Sequence, residues 1–267
     1  MASDSLQEII LSFKNSQLTI NLKELFMFRH KGKRRTYSHN LKLASILSCV
    51  AGLVNITGVL SASTLTTNVT GHFAYFSEQL FIKNYKMAFM YLLYILFFLL
   101  GSFVSGAIME WASKHKSHTS YIIPLSIEIV IMLVIGFSPE LLPDGSSLAL
   151  IFSSALLFAM GLQNALVTRV SQSVVRTTHL TGLFTDLGIE LSQQLFHREK
   201  EKRIQLNKSI FLKLMIISCF FFGGILGALT YQHFNLRTLL IPASLLLFAL
   251  WYDGLLFRYY HLKRKLR

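Results

Sequence analysis

Ala51-Gly52-Leu53-Val54-Asn55, followed by Thr66-Thr67-Asn68-Val69-Thr70-Gly71-His72, returns later as Met160-Gly161-Leu162-Gln163-Asn164, followed by Thr177-Thr178-His179-Leu180-Thr181-Gly182-Leu183. The two Gly-x-x-Asn pairs are 109 residues apart, and the two Thr-x-x-Thr-Gly elements are 111 apart. Two motif parts returning in the same order at a nearly fixed offset mark an internal duplication. The order continues downstream, where Gly101 and Gly106-Ala107 in the first copy correspond to Gly223, Gly224 and Gly227-Ala228 in the second.

Around these motifs lie six stretches apolar and long enough to cross a bilayer, at 41–62, 87–110, 121–138, 147–168, 209–231 and 237–257. Pro139 and Pro143-Asp144-Gly145 put a tight hairpin between the third and the fourth. Two amphipathic segments, 72–82 and 183–196, are too short or too polar to cross, and read as half-helices, interfacial helices or re-entrant pieces. One copy of the duplication is therefore three spans and one short helix. Three is odd, so the second copy enters the membrane in the opposite direction. The expected fold is an all-α membrane protein of six transmembrane helices, built as two inverted three-helix repeats, each with a short broken or half-helix. Residues 1–40 form a basic N-terminal segment, 41–138 the first repeat, 147–257 the second and 258–267 a basic tail.

Composition agrees with lipid as the main solvent. Of 267 residues, 52% are hydrophobic and 15% charged, and mean hydropathy is +0.49, too little charge for a water-facing shell. The 26 Lys and Arg outnumber the 13 Asp and Glu, a net charge of +13 that in a soluble protein would point to nucleic acid. Here it reads as sidedness. With the spans alternating in direction, 22 of the 26 basic residues fall on one side, in residues 1–42, the loop after the second span, the link after the fourth and the C-terminal tail. Lys83, Lys86 and Arg237 are opposite, and Lys213 lies inside the start of the fifth span. The positive-inside rule then makes both termini cytoplasmic, and no nucleic-acid partner is expected. Residues 1–40 lack an apolar run early enough for a secretory signal, so no cleavage is expected. They read either as an amphipathic helix held by anionic lipid headgroups or as a solvated tail carrying topogenic charge. Cys49 and Cys219 lie in apolar runs and read as small buried hydrophobes.

The polar residues inside this apolar frame are the candidates for chemistry. Thr70-Gly71 and Thr181-Gly182 sit where short helices begin. A Thr there can cap orphan amides, and the same helix start can hold an anion when it faces a cavity, with Arg176 as a nearby counter-charge. Asn55, Asn164 and Gln163 lie within spans, where an amide serves either as glue between helices or as cavity lining. Glu128 falls mid-span, where an ionisable group costs on the order of 3 kcal/mol, and is the candidate coupling carboxylate unless it forms a structural pair, with Lys213 for example. Asp186, one turn before Glu190, is the second coupling candidate and lines the cytoplasmic mouth, or else faces solvent. The histidines do not cluster, and no metalloprotease, phosphate-loop, nucleophile-elbow or dinucleotide fingerprint occurs. Neither an enzyme nor a cofactor or metal is expected. The glycines of the second and fifth spans serve close contact within the chain or a homodimer face.

Gly161-Leu162-Gln163-Asn164-Ala165 and the run Arg176-Thr177-Thr178-His179-Leu180-Thr181-Gly182 through Asp186 resemble the YoaK-like family of bacterial integral membrane proteins, a domain of unknown function. The first-half match is partial: Asn55 stands where that family usually has Asp, and His72 where it has Asn. Because Asn55 cannot titrate, the departure argues against proton coupling at that position. The resemblance spans roughly 41–257 and implies the six-span architecture without implying an activity. The expected function is a small-solute transporter or channel-like permease, with an anionic or zwitterionic substrate bound between the repeats. The competing expectation is a membrane scaffold or lipid-interacting protein without transport activity, whose basic arms carry its function.

Overall fold

The computed structural model describes residues 36–114, 120–138, 147–196 and 199–265, with the side chains from 256 onward outside that description. Among the described residues the regular structure is entirely helical. In chain order, α1 spans Tyr37–Ala62, α2 Val69–Phe81, α3 Tyr85–Lys114, α4 Ile122–Gly136, α5 Ser147–Ser171, α6 Leu180–Phe196, α7 Lys200–Phe234 and α8 Leu240–Lys265. A short 3-10 helix, Asn235–Leu239, joins α7 to α8. The expected N-terminal lipid-binding segment lies outside the described residues up to position 35. From Tyr37 the chain is already in α1, whose start is fixed where the Thr36 N–H donates to His39 Nδ1 at 3.0 Å.

Four stretches are long and apolar enough to cross a membrane: Tyr37–Ala62, Tyr85–Lys114, Ser147–Ser171 and Lys200–Leu255. The last takes in α7 and α8 together, interrupted where Asn235 adopts φ 46, a left-handed conformation that a regular helix cannot continue through. Helix α4 is a shorter apolar helix of 15 residues. The strongly apolar outer faces include Leu99 and Phe103 on α3 and Phe221 and Phe222 on α7, all more than 60% exposed. Exposed apolar area on this scale suits lipid rather than water.

The helices associate across the two halves of the chain. The most extensive contacts are α1 with α7 and α3 with α5, ahead of any pair within one half. Glycine makes both possible. A Cβ on Gly52 would overlap the Phe220 carbonyl oxygen and stand 3.0 Å from the Gly224 nitrogen; one on Gly161 would overlap the Phe98 carbonyl oxygen and stand 3.1 Å from the Ser102 nitrogen. The contact is returned from the other side, where Gly223 meets the Cys49 carbonyl and Gly101 the Phe158 carbonyl. The two seams use equivalent positions: Gly52 and Gly161 are 109 residues apart, and Phe98 and Phe220 are 122 apart, as are Ser102 and Gly224. Small residues let backbones approach where lipid offers no hydrophobic drive for association.

Hydrogen bonds give relative directions. Ser102 Oγ donates to the Gly161 carbonyl at 3.2 Å, and Arg169 pairs with Glu110 about two turns further along both helices, so α3 and α5 run parallel. Ser153 Oγ donates to Thr64 Oγ1 at 3.1 Å, joining the N-terminal part of α5 to the end of α1, so these two run antiparallel. Tyr121 donates to Asp253 at 2.8 Å, and Gly136 lies against Leu240, so α4 and α8 are antiparallel as well. The Tyr121 hydroxyl gives the fully buried Asp253 a partner across the two helices.

Gly161→Val is expected to destabilise the protein by about 3 kcal/mol through backbone overlap at the α3–α5 seam. Gly188→Ala, at a helical position with nothing within 4 Å of a Cβ, should instead stabilise by about 0.5 to 1 kcal/mol. Thermal unfolding in detergent reads both, and equal effects would refute the assignment of the seam.

Candidate functional site

Both short helices begin three residues earlier than their amphipathic patterning suggests, so the Thr-Gly elements form their first turns instead of preceding them. Thr70 is therefore not the cap of α2. Asn68 holds that position, its Oδ1 accepting from the Gly71 N–H at 3.0 Å, while the Thr70 side chain is exposed. In α6 the equivalent place falls to His179, whose ring lies directly against Gly182, and Thr181 is exposed.

The two helix starts open onto one cavity of about 850 Å³. Asn55, Thr67, Asn68, Thr70 and Gly71 line it from the first half, and Asn164, Thr178, His179, Thr181 and Gly182 from the second. Phe98 and Phe220, the residues whose carbonyls meet the seam glycines, contribute the apolar lining. Every one of these has its counterpart at the repeat spacing among the other lining residues. The structure thus brings together six of the eight substrate-binding candidates: Asn55, Thr70, Gly71, Asn164, Thr181 and Gly182.

The remaining candidates sit elsewhere. Gln163 is fully buried, and neither side-chain atom has a protein partner among the described residues. Arg176 is exposed and does not line the cavity; its place in the repeat is taken on the other side by Leu65, which does. Glu128 is fully buried in α4, with both carboxyl oxygens unpartnered among the described residues and no share in the cavity. It does not pair with Lys213. That lysine instead donates to Glu190 Oε1 at 2.7 Å and to Ser209 Oγ at 2.8 Å, and Ser209 Oγ donates to the same Glu190 oxygen at 2.7 Å. Glu190 is therefore engaged between α6 and α7, while Asp186, one turn earlier, is exposed.

Residues outside the expected set complete the site. Asn55 Oδ1 accepts from both the Thr67 N–H, at 3.2 Å, and the Thr67 hydroxyl, at 2.9 Å, tying the linker before α2 back to α1. Thr66 and Thr177 are equivalent in the two halves, each fully buried with its hydroxyl unpartnered among the described residues. His72 binds the Leu65 carbonyl through Nε2 at 2.7 Å and contacts Tyr91 and Tyr94 at ring distances of 6.0 and 5.3 Å, anchoring α2 on α3. The threonines were legible as parts of the duplicated element; the His72 and Lys213 contacts depend on pairings between helices that carry no linear signal. No group of three or more metal-ligating residues occurs among the described residues.

Asn68→Ala should cost about 1 kcal/mol of local stability at the start of α2, seen as faster amide hydrogen exchange there and not in α6. Lys213→Met, which strands the largely buried Glu190 carboxylate, should cost about 3 kcal/mol, and adding Glu190→Gln should recover most of it. Independent, additive losses in thermal unfolding would show that the pair is not coupled.

The chain matches the family model described as a protein of unknown function, DUF1275, over residues 43–252, and it belongs to that family, which includes the YoaK-like proteins. No curated protein and no solved structure matches it.

Proposed function

We propose that this DUF1275 member is a small-solute transporter or channel-like permease of the bacterial inner membrane, with six crossings arranged as two inverted three-helix repeats. Its substrate-binding site is the cavity between the two half-helix starts. One observation carries the reading: a cavity of about 850 Å³ is lined by pairs of residues from equivalent positions in the two halves. Inverted repeats that meet around half-helices are a recurring plan for moving a solute past the bilayer midplane. The antiparallel relation of α1 to α5 supports the inversion, and so does the interchange of seam partners between the halves. In this arrangement α4 and α8 complete the six crossings, and both ends of the chain are cytoplasmic, a placement supported by the distribution of basic residues.

The lining also suggests the solute. The first-turn amides of α2 and α6 lack helical acceptors, the Gly71 N–H among them being held by Asn68, and the helix dipoles favour negative charge at both starts. Asn164, Thr178 and Thr181 add neutral donors and acceptors, and no acidic side chain is among the lining residues. An anionic or zwitterionic solute small enough for this volume meets favourable partners at both helix starts. Arg176, away from the lining, is not part of this site, and Glu128 and Asp186 do not bind the solute directly.

Purified protein in liposomes should carry at least one member of a panel of small anions and zwitterions. Gly182→Val combined with Gly71→Val, filling both helix starts, should lower that flux about tenfold or more, while removal of residues 1–35 leaves it largely intact. The opposite pattern, with flux indifferent to the cavity but lost with the basic segment, would favour the lipid-interacting scaffold.

A further inference from the structure

The two halves match in sequence and in seam geometry, but not in the state of one hydrogen-bonded contact. In the first half, Asn55 is committed: its Oδ1 accepts two bonds from Thr67, which closes the linker onto α1. The equivalent residues of the second half, Asn164 and Thr178, both line the central cavity but are not bonded to each other, and the Asn164 carboxamide has no protein partner among the described residues. We infer that Asn55–Thr67 and Asn164–Thr178 are two copies of one latch, caught here closed on the outer half and open on the inner half, and that exchanging them switches the cavity from cytoplasmic to external access. The inference rests on the transport reading for its directions and adds the conformational device by which access would alternate.

Three further observations agree. A second cavity of about 650 Å³, lined by Ser102, Gly106, Asn164, Thr168, Arg169 and Gln172, shares Asn164 with the central one and extends towards the Arg169–Glu110 pair. By the charge distribution, that is the cytoplasmic side. On the other half, Thr168 and Arg169 correspond to Val59 and Leu60, and Ser102 and Gly106 to Gly224 and Ala228. Leu60 is itself exposed, but about one turn earlier the helices of that half meet closely: a Cβ on Gly227 would stand 2.5 Å from Ile56 Cγ2 and 3.3 Å from Leu53 Cα. Thus the polar vestibule lies beside the open latch and the close contact beside the shut one.

The linkers differ in the same sense. Twelve residues separate Asn55 from Thr67 and fourteen separate Asn164 from Thr178. The longer linker holds two successive non-glycine residues in the left-handed region, Gln172 at φ 54 and Ser173 at φ 63, where the shorter holds one, Ser63 at φ 50. Such backbone is costly for L residues and is concentrated where a segment has a second conformation available. Relaxing those two residues would let Thr178 approach Asn164.

The test uses the full chain in oriented vesicles, with Cys49 and Cys219 replaced by Ala and one reporter cysteine, Thr168→Cys or Val59→Cys. A membrane-impermeant maleimide should label Thr168→Cys from the cytoplasmic face and leave Val59→Cys nearly unreacted from the outer face. Asn55→Leu, which removes both bonds of the outer latch, should raise labelling of Val59→Cys about tenfold and slow labelling of Thr168→Cys correspondingly, and Thr67→Val, which removes the hydroxyl bond alone, should shift both in the same direction by less. Adding Thr178→Val to Thr67→Val should return labelling towards the parent pattern, because both latches then lack the hydroxyl bond. Unchanged labelling in folded Thr67→Val and Asn55→Leu proteins, or no reversal by Thr178→Val, would overturn the inference. Solute flux does not enter this readout, so a protein that exchanges labelling yet moves no solute would count against the transport reading alone.

Discussion

Everything in this fold depends on the approach of backbone to backbone at two glycine seams, α1 on α7 and α3 on α5. At each seam a glycine from either helix sits against a carbonyl of the other, so the contact is reciprocal and no side chain is available to adjust it. In lipid the usual drive for burying apolar surface is missing, and dispersion across a close interface takes its place. The seams also fix where the helices can part: Asn55 and Asn164 each lie one turn beyond a seam glycine, and the cavity opens there. The polar site exists because the same helix that is tightly held at Gly52 or Gly161 is free to diverge three residues later.

Much of this arrangement is written into the chain as repetition. The Gly-x-x-Asn and Thr-x-x-Thr-Gly pairs are local patterns, and they identify both the helices that meet and most of the cavity wall. What stays hidden depends on the third dimension. The true cap of α2 is Asn68, two residues before the threonine that the motif highlights, because capping depends on the backbone angles at the helix start. Gln163 and Asn164 are neighbours in sequence and equally polar, yet the rotation of about 100° between successive helical residues sends Asn164 to the cavity and buries Gln163. Lys213 finds Glu190 rather than Glu128 because α6 lies along α7, a contact that periodicity cannot specify.

The two halves match in sequence at the centre and differ at the periphery. Each short helix is held to the span that follows it, but by different chemistry. On the first side His72, Tyr75, Tyr91 and Tyr94 form an aromatic cluster; on the second Glu190, Ser209 and Lys213 form a largely buried charged triad. Tyr91 and Lys213 occupy equivalent positions. The aromatic side needs no counter-charge, whereas the charged side must keep both partners to avoid an uncompensated ion in a poorly solvated place. The two short helices can therefore differ in how firmly they are seated while their starts remain matched.

The crossed seams have a consequence for how the polypeptide comes to exist. Helix α1 has its main partner in α7 and α3 has its main partner in α5, so neither half of the chain contains the interfaces it needs. During synthesis α1 and α3 are complete before these partners are made, and must wait in the bilayer with bare glycine faces. The chain is in effect an exchanged dimer whose two subunits are joined by a linker, the covalent join acting mainly to hold each half at high local concentration for the other. Assembly is then a second-order problem converted to a first-order one. A break in the chain between α4 and α5 would change its kinetics far more than its final contacts.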